Sequence, residues 1–328
     1  MGRYSLKKAI ALVIVILFLA IVPIFLRDPR WLHIVIMIYL YIMLAGGLRL
    51  VMTTGQVSFA HAAFWAIGAY ASALLVMKLG FSFWVALPMS GVLAGFFGIL
   101  IGYPCLRLKG PYFFIITLAF GEIARLFFTS WVDLFGGANG IAGIPFPNSI
   151  TLPLIGVLEF KSRSIHYYYL LLLLLLGSLF FMYRLERSRF GMTCTAIRES
   201  DALCESLGVN AMRYKVILFV VACIIAGFAG SFYAHYMTYI SPDFFTFWES
   251  MTFLLMVVIG GSGSTSGVIL GAIILTVVPD VAREAKRLEP IIFGGILVLV
   301  LRFMPGGLWS LIGMLPRKLR LSKSAQRG

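Results

Sequence analysis

Apolar segments long enough to cross a lipid bilayer recur along the whole chain, and they constrain its fold more than any other feature. A helix needs about 20 apolar residues to cross about 30 Å of hydrocarbon. Candidate spans lie at residues 9–26, 31–52, 59–77, 81–104, 111–132, 166–183, 214–236 and 291–312, and a longer apolar segment, 249–280, is interrupted by Gly260–Ser264. The interrupted segment counts as one span or two. The sequence therefore predicts an all-α polytopic transmembrane bundle of nine or ten helices.

The composition excludes a solvated domain. Hydrophobic residues make up 61% of the chain and charged residues 12%, against about 45–50% and about 25% in soluble domains. We expect one transmembrane domain over residues 1–328, because no polar linker divides it. The basic start and the apolar run 9–26 resemble a signal peptide, but no small-residue cleavage site follows, so this run is predicted to be the first span.

Basic residues predict the orientation in the membrane. The segment 184–215 and the tail after residue 316 are rich in Lys and Arg, whereas 237–249 contains Asp243 and Glu249 and no basic residue. Short basic loops stay cytoplasmic. Both termini are therefore expected inside, which favours ten spans, although the basic loop 281–289 argues for the other count. The Gly- and Pro-rich segment 133–165 is then an external loop between two halves. The net charge of +14 reflects these loops and indicates no nucleic-acid partner.

The four cysteines show no metal or redox spacing. Cys105, Cys194, Cys204 and Cys223 form no C-x-x-C pair. We expect reduced structural thiols, no metal and no cofactor.

Small residues recur at helical spacing and predict close helix packing. In lipid, helices associate where small residues let their backbones approach. Three such stripes occur: Gly91, Gly95, Gly98 and Gly102; Ala222, Ala226, Gly230 and Ala234; Gly263, Gly267 and Gly271. They predict a compact bundle with several buried interfaces.

Two segments interrupt the helical pattern. The first is 53–58, which contains Gln56 and Ser58 and is followed by His61; the second is 260–267, which contains Gly260, Gly261, Ser262 and Ser264. Non-helical backbone at membrane depth is tolerated where it is buried in protein or lines a cavity, and in transporters such breaks mark the substrate path. Ser58 in the first break and Gly261 in the second each precede a Gly-Ala pair by ten residues, a weak sign of a repeat. The alternative is that both are short loops.

Charged residues inside a span add to the predicted path. Glu122 and Arg125 lie three residues apart on one face of the span 111–132, and Thr117 on the same span is included in the predicted path. A charge at the bilayer centre costs several kcal/mol and usually faces a bundle interior or a partner. The pair either gates the path or locks the span to a neighbour. His33 and His235, near span ends, are expected at the membrane interface.

A short helix is predicted within the basic segment 184–215. Ser200 is a good N-cap, Asp201 falls in the first turn, and Gly208 is a natural C-terminal residue. Leu203 and Leu207 would then lie on an apolar face suited to a groove of a soluble partner. The alternative is a solvated connecting loop.

Several blocks resemble one family of membrane proteins. They are Gly55-Gln-Val-Ser-Phe-Ala-His-Ala-Ala-Phe, Ile67-Gly-Ala-Tyr, Gly110-Pro-Tyr-Phe-Phe, Thr117-Leu-Ala-Phe-Gly-Glu-Ile, Arg187-Ser-Arg-Phe-Gly, Ala196-Ile-Arg-Glu-Ser, Gly208-Val-Asn and Val257-Val-Ile-Gly-Gly-Ser-Gly-Ser. Together they resemble permease subunits of bacterial ATP-driven importers of branched-chain amino acids, along most of the chain. The chain departs from the family at two adjacent positions, since the family usually carries two small residues where Leu203 and Cys204 stand.

The resemblance implies a role and partners. The chain would pair with a second related permease, two cytoplasmic ATPases and an external substrate-binding protein in the bacterial inner membrane. The coupling contact with an ATPase would comprise Arg198, Glu199, Ser200, Asp201, Leu203, Leu207, Gly208 and Asn210. Each ATP cycle would push on this helix while the broken segments expose the path to one side and then the other.

Other functions remain open from the sequence. No H-E-x-x-H, G-x-S-x-G or phosphate-loop motif is present, so we expect no enzyme. Urea and short-amide importers have permeases of the same family. A secondary transporter or channel would explain the spans and breaks but does not need the basic segment. A structural subunit would explain only the packing.

Overall fold

The structure is a computed structural model that describes residues 19–23, 28–108, 110–152, 156–158, 160, 165–282 and 295. Its main α-helices are α1 (Pro29–Met52), α2 (His61–Met77), α3 (Phe83–Cys105), α4 (Pro111–Ser130), α5 (Ile165–Glu186), α6 (Arg189–Glu199), α7 (Asp201–Ser206), α8 (Ala211–Met237), α9 (Phe247–Gly260) and α10 (Thr265–Ala282). A single helical turn, Val132–Phe135, and the 3₁₀ turns Gly137–Asn139 and Pro242–Phe244 connect them. The strands are β1 (Ile141–Ala142), β2 (Ile150–Leu152), β3 (Gly156–Leu158) and β4 (Tyr239–Ile240).

The helical spans agree with the apolar pattern. Within the described residues, six helical segments are long and apolar enough to cross a membrane: α1, α3, α4, α5, α8 and the segment Pro242–Gly260, which contains α9. Helices α2 and α10 are apolar too. The all-α polytopic fold is confirmed, and the interrupted segment 249–280 consists of two helices. The predicted spans 9–26 and 291–312 fall largely outside the described residues, so the choice between nine and ten stays a prediction.

Helix α8 lies at the centre of the bundle and packs on α1, α2 and α3. The glycine stripe of α3 faces it: a Cβ placed on Gly91 would come within 2.3 Å of the Phe228 ring, and one on Gly102 within 2.7 Å of the Phe219 ring. These glycines are therefore required by the bulk of the α8 side chains, as the small-residue pattern predicted.

The approach of α2 to α8 is closer still, because backbone meets backbone. A Cβ on Gly68 would lie 2.4 Å from the Gly227 carbonyl oxygen, and one on Gly230 would lie 2.1 Å from that of Trp65. No side chain fits at either position. The two helices are held at a distance that only glycine allows.

Helices α9 and α10 form a tight hairpin around the second break. A Cβ on Gly267 would lie 2.5 Å from the Gly260 oxygen, and one on Gly271 would lie 2.0 Å from the Met256 oxygen. Gly263, predicted to continue this stripe, lies in the break itself, where a Cβ would meet nothing within 4 Å. The stripe is therefore shorter than predicted.

The segment 133–165 is more ordered than a simple loop. Strand β1 pairs antiparallel with β4, which joins this segment to the link between α8 and α9, and β2 pairs with β3. The Trp84 indole donates to the Asn148 carbonyl (3.1 Å), and the Lys78 ammonium donates to the Asp133 carbonyl (3.0 Å). The segment thus covers the end of the bundle where α2 ends and α3 begins, predicted to be external.

The basic segment at the opposite end is more helical than predicted. Only a helix starting near Ser200 was expected, yet residues 184–186 complete α5, residues 189–199 form α6, and α8 already begins at Ala211. Ser188 caps α6, since its hydroxyl accepts a hydrogen bond from the Gly191 amide at 3.3 Å. The α6 sequence, with Gly and two Thr, has modest helix propensity, which explains why the helix was not predicted.

The short helix α7 follows the prediction closely. The Ser200 hydroxyl accepts from the Leu203 amide (3.2 Å), Asp201 occupies the first turn, and Gly208 has a φ of 82°. Asn210 caps the next helix by accepting from the Arg213 amide (3.0 Å). Local capping chemistry therefore determines where α7 begins and ends and where α8 starts.

Candidate translocation path and coupling surface

The first break links α1 to α2 and is packed against α4. The Phe59 amide donates to the Thr117 hydroxyl (3.1 Å), and the Phe59 ring meets the Phe114 ring edge-on. Ser58, His61 and Thr117 are all fully buried. Of these three predicted path residues, Thr117 connects the break to α4 through its hydrogen bond, and Ser58 accepts from the nearby Ala60 amide (3.3 Å). The predicted path residue Gln56 lines a cavity.

His61 lies between α1 and α8. A Cβ on Gly47 would come within 3.0 Å of its Nε2 atom and 3.4 Å of the Ala222 carbonyl oxygen. Neither ring nitrogen has a hydrogen-bond partner among the described residues. Gly47 therefore provides the space that the buried imidazole occupies.

The first break also contacts residues 187–210, which we call the α6–α7 segment. A cavity of about 320 Å³ is lined by Thr54, Gly55 and Gln56 from the break and by residues 197–202 from the α6–α7 segment, together with Gly110 and Lys215. A Cβ on Gly55 would lie 3.4 Å from Cγ of Arg198. The first break therefore lies against the predicted coupling contact.

The second break approaches the same segment from another side. A cavity of about 400 Å³ contains Ser262 and Gly263 from the break, Thr195 and Arg198 from α6, and Arg49 from α1. Gly261, at the end of α9, has a φ of 108°, a conformation suited to glycine. The Ser264 hydroxyl accepts from the Gly267 amide (3.1 Å) as α10 begins. Both breaks therefore meet at Arg198, a convergence that the sequence did not predict.

Two buried ion pairs connect this end of the bundle. Arg49 of α1 pairs with Glu186 of α5, and Lys215 of α8 pairs with Asp201 of α7 at 2.6 Å. Sequence reasoning included Asp201 but missed Arg49, Glu186 and Lys215. The available signal was that Arg49 is the one Lys, Arg, Asp or Glu in the predicted span 31–52.

The charges of α4 form a network at the opposite half of the bundle. The Arg125 Nε donates to Glu122 at 3.0 Å, and its guanidinium lies 3.7 Å from Asp243 of the link between α8 and α9. The Glu122 side chain is 42% exposed, although it lies near the middle of a span. Hydrocarbon does not accommodate such a group, so this face of α4 needs a polar cavity or a protein partner against it.

Helix α7 presents an apolar face. Leu203 is 63% exposed and Leu207 76% exposed, whereas Cys204 between them is buried against Ile197 and Ala211. Of the two positions that depart from the family pattern, Leu203 is therefore exposed and Cys204 packs into the interior. Exposed leucines on a short capped helix are what a docking contact requires.

His235 is not interfacial, contrary to the expectation from its place near a span end. It is fully buried. Its Nδ1 lies 2.7 Å from the Pro145 carbonyl oxygen, and its Nε2 lies 3.1 Å from the Ser72 hydroxyl. The Ser72 oxygen accepts a hydrogen bond from the Ser231 hydroxyl (2.7 Å). Pro145 belongs to the segment that folds over the bundle, so tertiary hydrogen bonds draw this histidine inward. His33 is half-buried and lies 2.9 Å from the Tyr236 hydroxyl.

All four cysteines are free and buried. Burial raises the pKa of the Cys194 thiol, on α6, to about 12. Among the described residues, no three His, Cys, Asp or Glu side chains gather as metal ligands would. The thiols therefore act as core side chains.

A polytopic bundle with two broken helices that meet a capped, basic segment defines a multi-pass membrane permease. The family model for the permease component of branched-chain amino acid transport systems matches residues 31–301. The chain belongs to this family of transport permeases, which are not themselves enzymes.

Named relatives support this assignment. The chain is 35% identical to the high-affinity branched-chain amino acid transport system permease protein LivM of Escherichia coli strain K12, over 99% of this chain and 80% of the relative. It is 35% identical to LivM of Salmonella typhimurium, over 89% and 72%, and 26% identical to LivH of Escherichia coli strain K12, over 77% and 85%. No solved structure matches the chain.

Proposed function

We propose that this chain is one of two permease subunits of an ATP-driven importer of branched-chain amino acids in the bacterial inner membrane. The observation that carries the proposal is the convergence of both broken segments on Arg198 and the α6–α7 segment. A secondary transporter does not require such a segment. A permease moved by a cytoplasmic ATPase requires a rigid contact between the docking helix and the path.

The predicted coupling residues form that contact. An ATPase groove would receive Leu203 and Leu207, which are exposed. Because Lys215 holds Asp201 at 2.6 Å, a push on α7 would reach α8 directly. Through Arg198, the same push would reach Gly55 of the first break and the cavity of the second.

The path would follow the face of α4 towards the second permease. Glu122, Arg125 and Asp243 present charges of both signs there. An amino acid carries an ammonium and a carboxylate, so a face with both signs suits its passage. The second subunit would cover the half-exposed charges, and Gln56 and Ser262, which line cavities near the α6–α7 segment, would lie towards the inner exit.

The names of the relatives support the substrate class. LivM and LivH are both named as permeases of high-affinity branched-chain amino acid transport, and this chain is similar to both. A LivM-like chain and a LivH-like chain would form the pair. An external binding protein would deliver the substrate, and two ATPases would bind inside.

Purification in mild detergent and uptake in proteoliposomes test the proposal. We expect the chain to co-purify with a second permease and ATPases, and to take up labelled leucine only with ATP and the binding protein. Uptake of urea or short amides in place of leucine would change the substrate assigned to the importer. A chain that purifies alone and transports without ATP would be a secondary transporter.

A pair of variants tests the docking face. Leu203→Ser with Leu207→Ser should release the ATPases while the two permeases stay together, because only the exposed apolar contact is removed. Met192→Ser is the matched control, since Met192 is 61% exposed on α6 and lies off the proposed face. Full ATPase retention by the double variant would refute docking through α7.

A further inference from the structure

One arginine joins three helices at the α6–α7 end of the bundle. The Arg49 guanidinium, in the last turn of α1, contacts both carboxylate oxygens of Glu186 at the end of α5. Its Nε donates to the Ser262 carbonyl oxygen in the second break (3.0 Å), and its Nη1 donates to the Thr265 hydroxyl at the start of α10 (3.1 Å). Only 6% of the Arg49 side chain is exposed.

This set of bonds matches the shape of a guanidinium. Arginine presents five N–H donors in a rigid plane, and here Nε, Nη1 and Nη2 all bind. Lysine could neutralise Glu186, but a single ammonium cannot also reach the two partners at the break in the same geometry. The site therefore uses the shape of arginine as well as its charge.

The three joined elements are those that must move together in the proposed mechanism. Glu186 precedes the α6–α7 segment by a single residue, and Ser262 lies in the second break. Arg49 itself lies four residues before Thr53, where the first break begins. Arg49, Glu186 and Ser262 also line the same cavity as Arg198.

We propose that Arg49 is the positioning residue that transmits movement of the α6–α7 segment to the second break. This inference rests on the proposed function, since it assigns a residue to its coupling step. When the ATPases displace α6 and the end of α5, Glu186 carries the guanidinium with it. The guanidinium pulls the Ser262 backbone and the start of α10, so the break changes shape with the ATP cycle.

A role in stability alone gives a different expectation. A buried ion pair can often be replaced by apolar side chains of similar volume without loss of stability, although removal of one partner is costly. The double variant Arg49→Met with Glu186→Met removes both charges and the link to Ser262 together. If Arg49 served only to hold the fold, this variant would transport normally.

The experiment compares leucine taken up per ATP hydrolysed in proteoliposomes that contain the whole importer. We expect the double Met variant to assemble and hydrolyse ATP, and its uptake per ATP to fall by about 5- to 150-fold, the usual range of coupling between two sites. Arg49→Lys, which keeps the charge, should also lower this ratio. If the double variant does not accumulate, Arg49→Lys alone decides.

An ion pair that joins α1 and α10 at their other ends provides a matched control. Arg30 of α1 pairs with Asp280 of α10 at 3.3 Å. Arg30→Met with Asp280→Asn should leave uptake per ATP unchanged, because this pair lies far from the breaks along both helices. A wild-type ratio in Arg49→Lys, or in the double Met variant, would overturn the role of Arg49. Failure of the wild-type importer to couple uptake to ATP would instead overturn the proposed function.

Discussion

At the scale of single residues, the half-exposed charge of Glu122 is the least expected feature of the bundle. Its carboxylate accepts from Arg125, yet 42% of the side chain is exposed in the middle of a span. A pair that served only to lock α4 to a neighbour would be enclosed by that neighbour. Within the described residues it is covered only partly, with Asp243 as the further charged contact of Arg125.

Glu122→Gln should impair uptake more than it impairs assembly. The change leaves Arg125 with Asp243 at 3.7 Å as its remaining acidic contact, which alters the electrostatic profile of the path. We expect leucine uptake per assembled importer to fall by about tenfold or more, the effect of ~1.4 kcal/mol on a barrier. The control is Glu122→Asp, which keeps the charge. Unchanged uptake by Glu122→Gln, at equal protein level, would make the pair purely structural.

The thiol of Cys194 gives a second test at this scale. Because burial raises its pKa to about 12 from an ordinary value near 9, its thiolate fraction at pH 8 falls well below that of an exposed thiol. We expect no alkylation of Cys194 by maleimide at pH 8 in the folded protein and full alkylation after denaturation, read by peptide mass. Rapid labelling of the native protein would show that α6 opens, in conflict with its packed position.

At the scale of elements, the contact between α2 and α8 determines how tightly the bundle closes. Gly68, Gly227 and Gly230 allow the two backbones to touch, and α8 also carries the side chains that fill the α3 stripe. A methyl group added at Gly68 or Gly230 would force α2 and α8 apart, because it meets backbone carbonyl oxygens. A carbonyl oxygen cannot turn aside as a flexible side chain can.

Gly230→Ala should therefore destabilise the bundle. The added Cβ would lie 2.1 Å from the Trp65 carbonyl oxygen, and overpacking of this kind costs about 1–3 kcal/mol. We expect a lower Tm in detergent. Gly177→Ala is the matched control, because a Cβ there meets nothing within 4 Å and should gain up to about 1 kcal/mol in helix propensity. Equal Tm values for the two variants would contradict the close contact.

Much of the element order could be predicted from sequence because lipid makes strong demands on local composition. Apolar runs predicted the described spans, and capping chemistry predicted α7 from Ser200 to Gly208. Tertiary partners decided the rest. The inward position of His235 depends on Pro145, ninety residues away, and the meeting of both breaks at Arg198 depends on how α6 packs against them. Neither leaves a local pattern. Arg49 did leave a visible charge, but its three partners are distant in sequence.

At the scale of the whole molecule, successive described spans run in opposite directions, and the two ends of the bundle differ. One end carries the segment 133–165, whose strand β1 pairs with β4, and the other end carries α6, α7 and both breaks. The basic residues predict that the second end faces the cytoplasm. In the proposed importer, the binding protein would contact the first end and the ATPases the second.

Labelling from the two sides of the membrane checks that orientation. In a background without native cysteines, Phe146→Cys, which replaces a 41% exposed side chain, should react with an impermeant maleimide in intact cells. Ser206→Cys, exposed at the end of α7, should react only after permeabilisation. Labelling of Ser206→Cys from outside would invert the topology and place the proposed docking face on the wrong side.

The half-exposed charge pair of α4 also bears on how a cell makes this protein in the right amount. In the proposed assembly, a copy without its partner would expose Glu122 and Arg125 to acyl chains, and an ionised group there is costly. An unassembled subunit would therefore differ from an assembled one by an exposed ion pair inside the bilayer, a feature that membrane proteases and chaperones can recognise. One ion pair would then let subunit supply be matched to demand after synthesis, without any control of transcription.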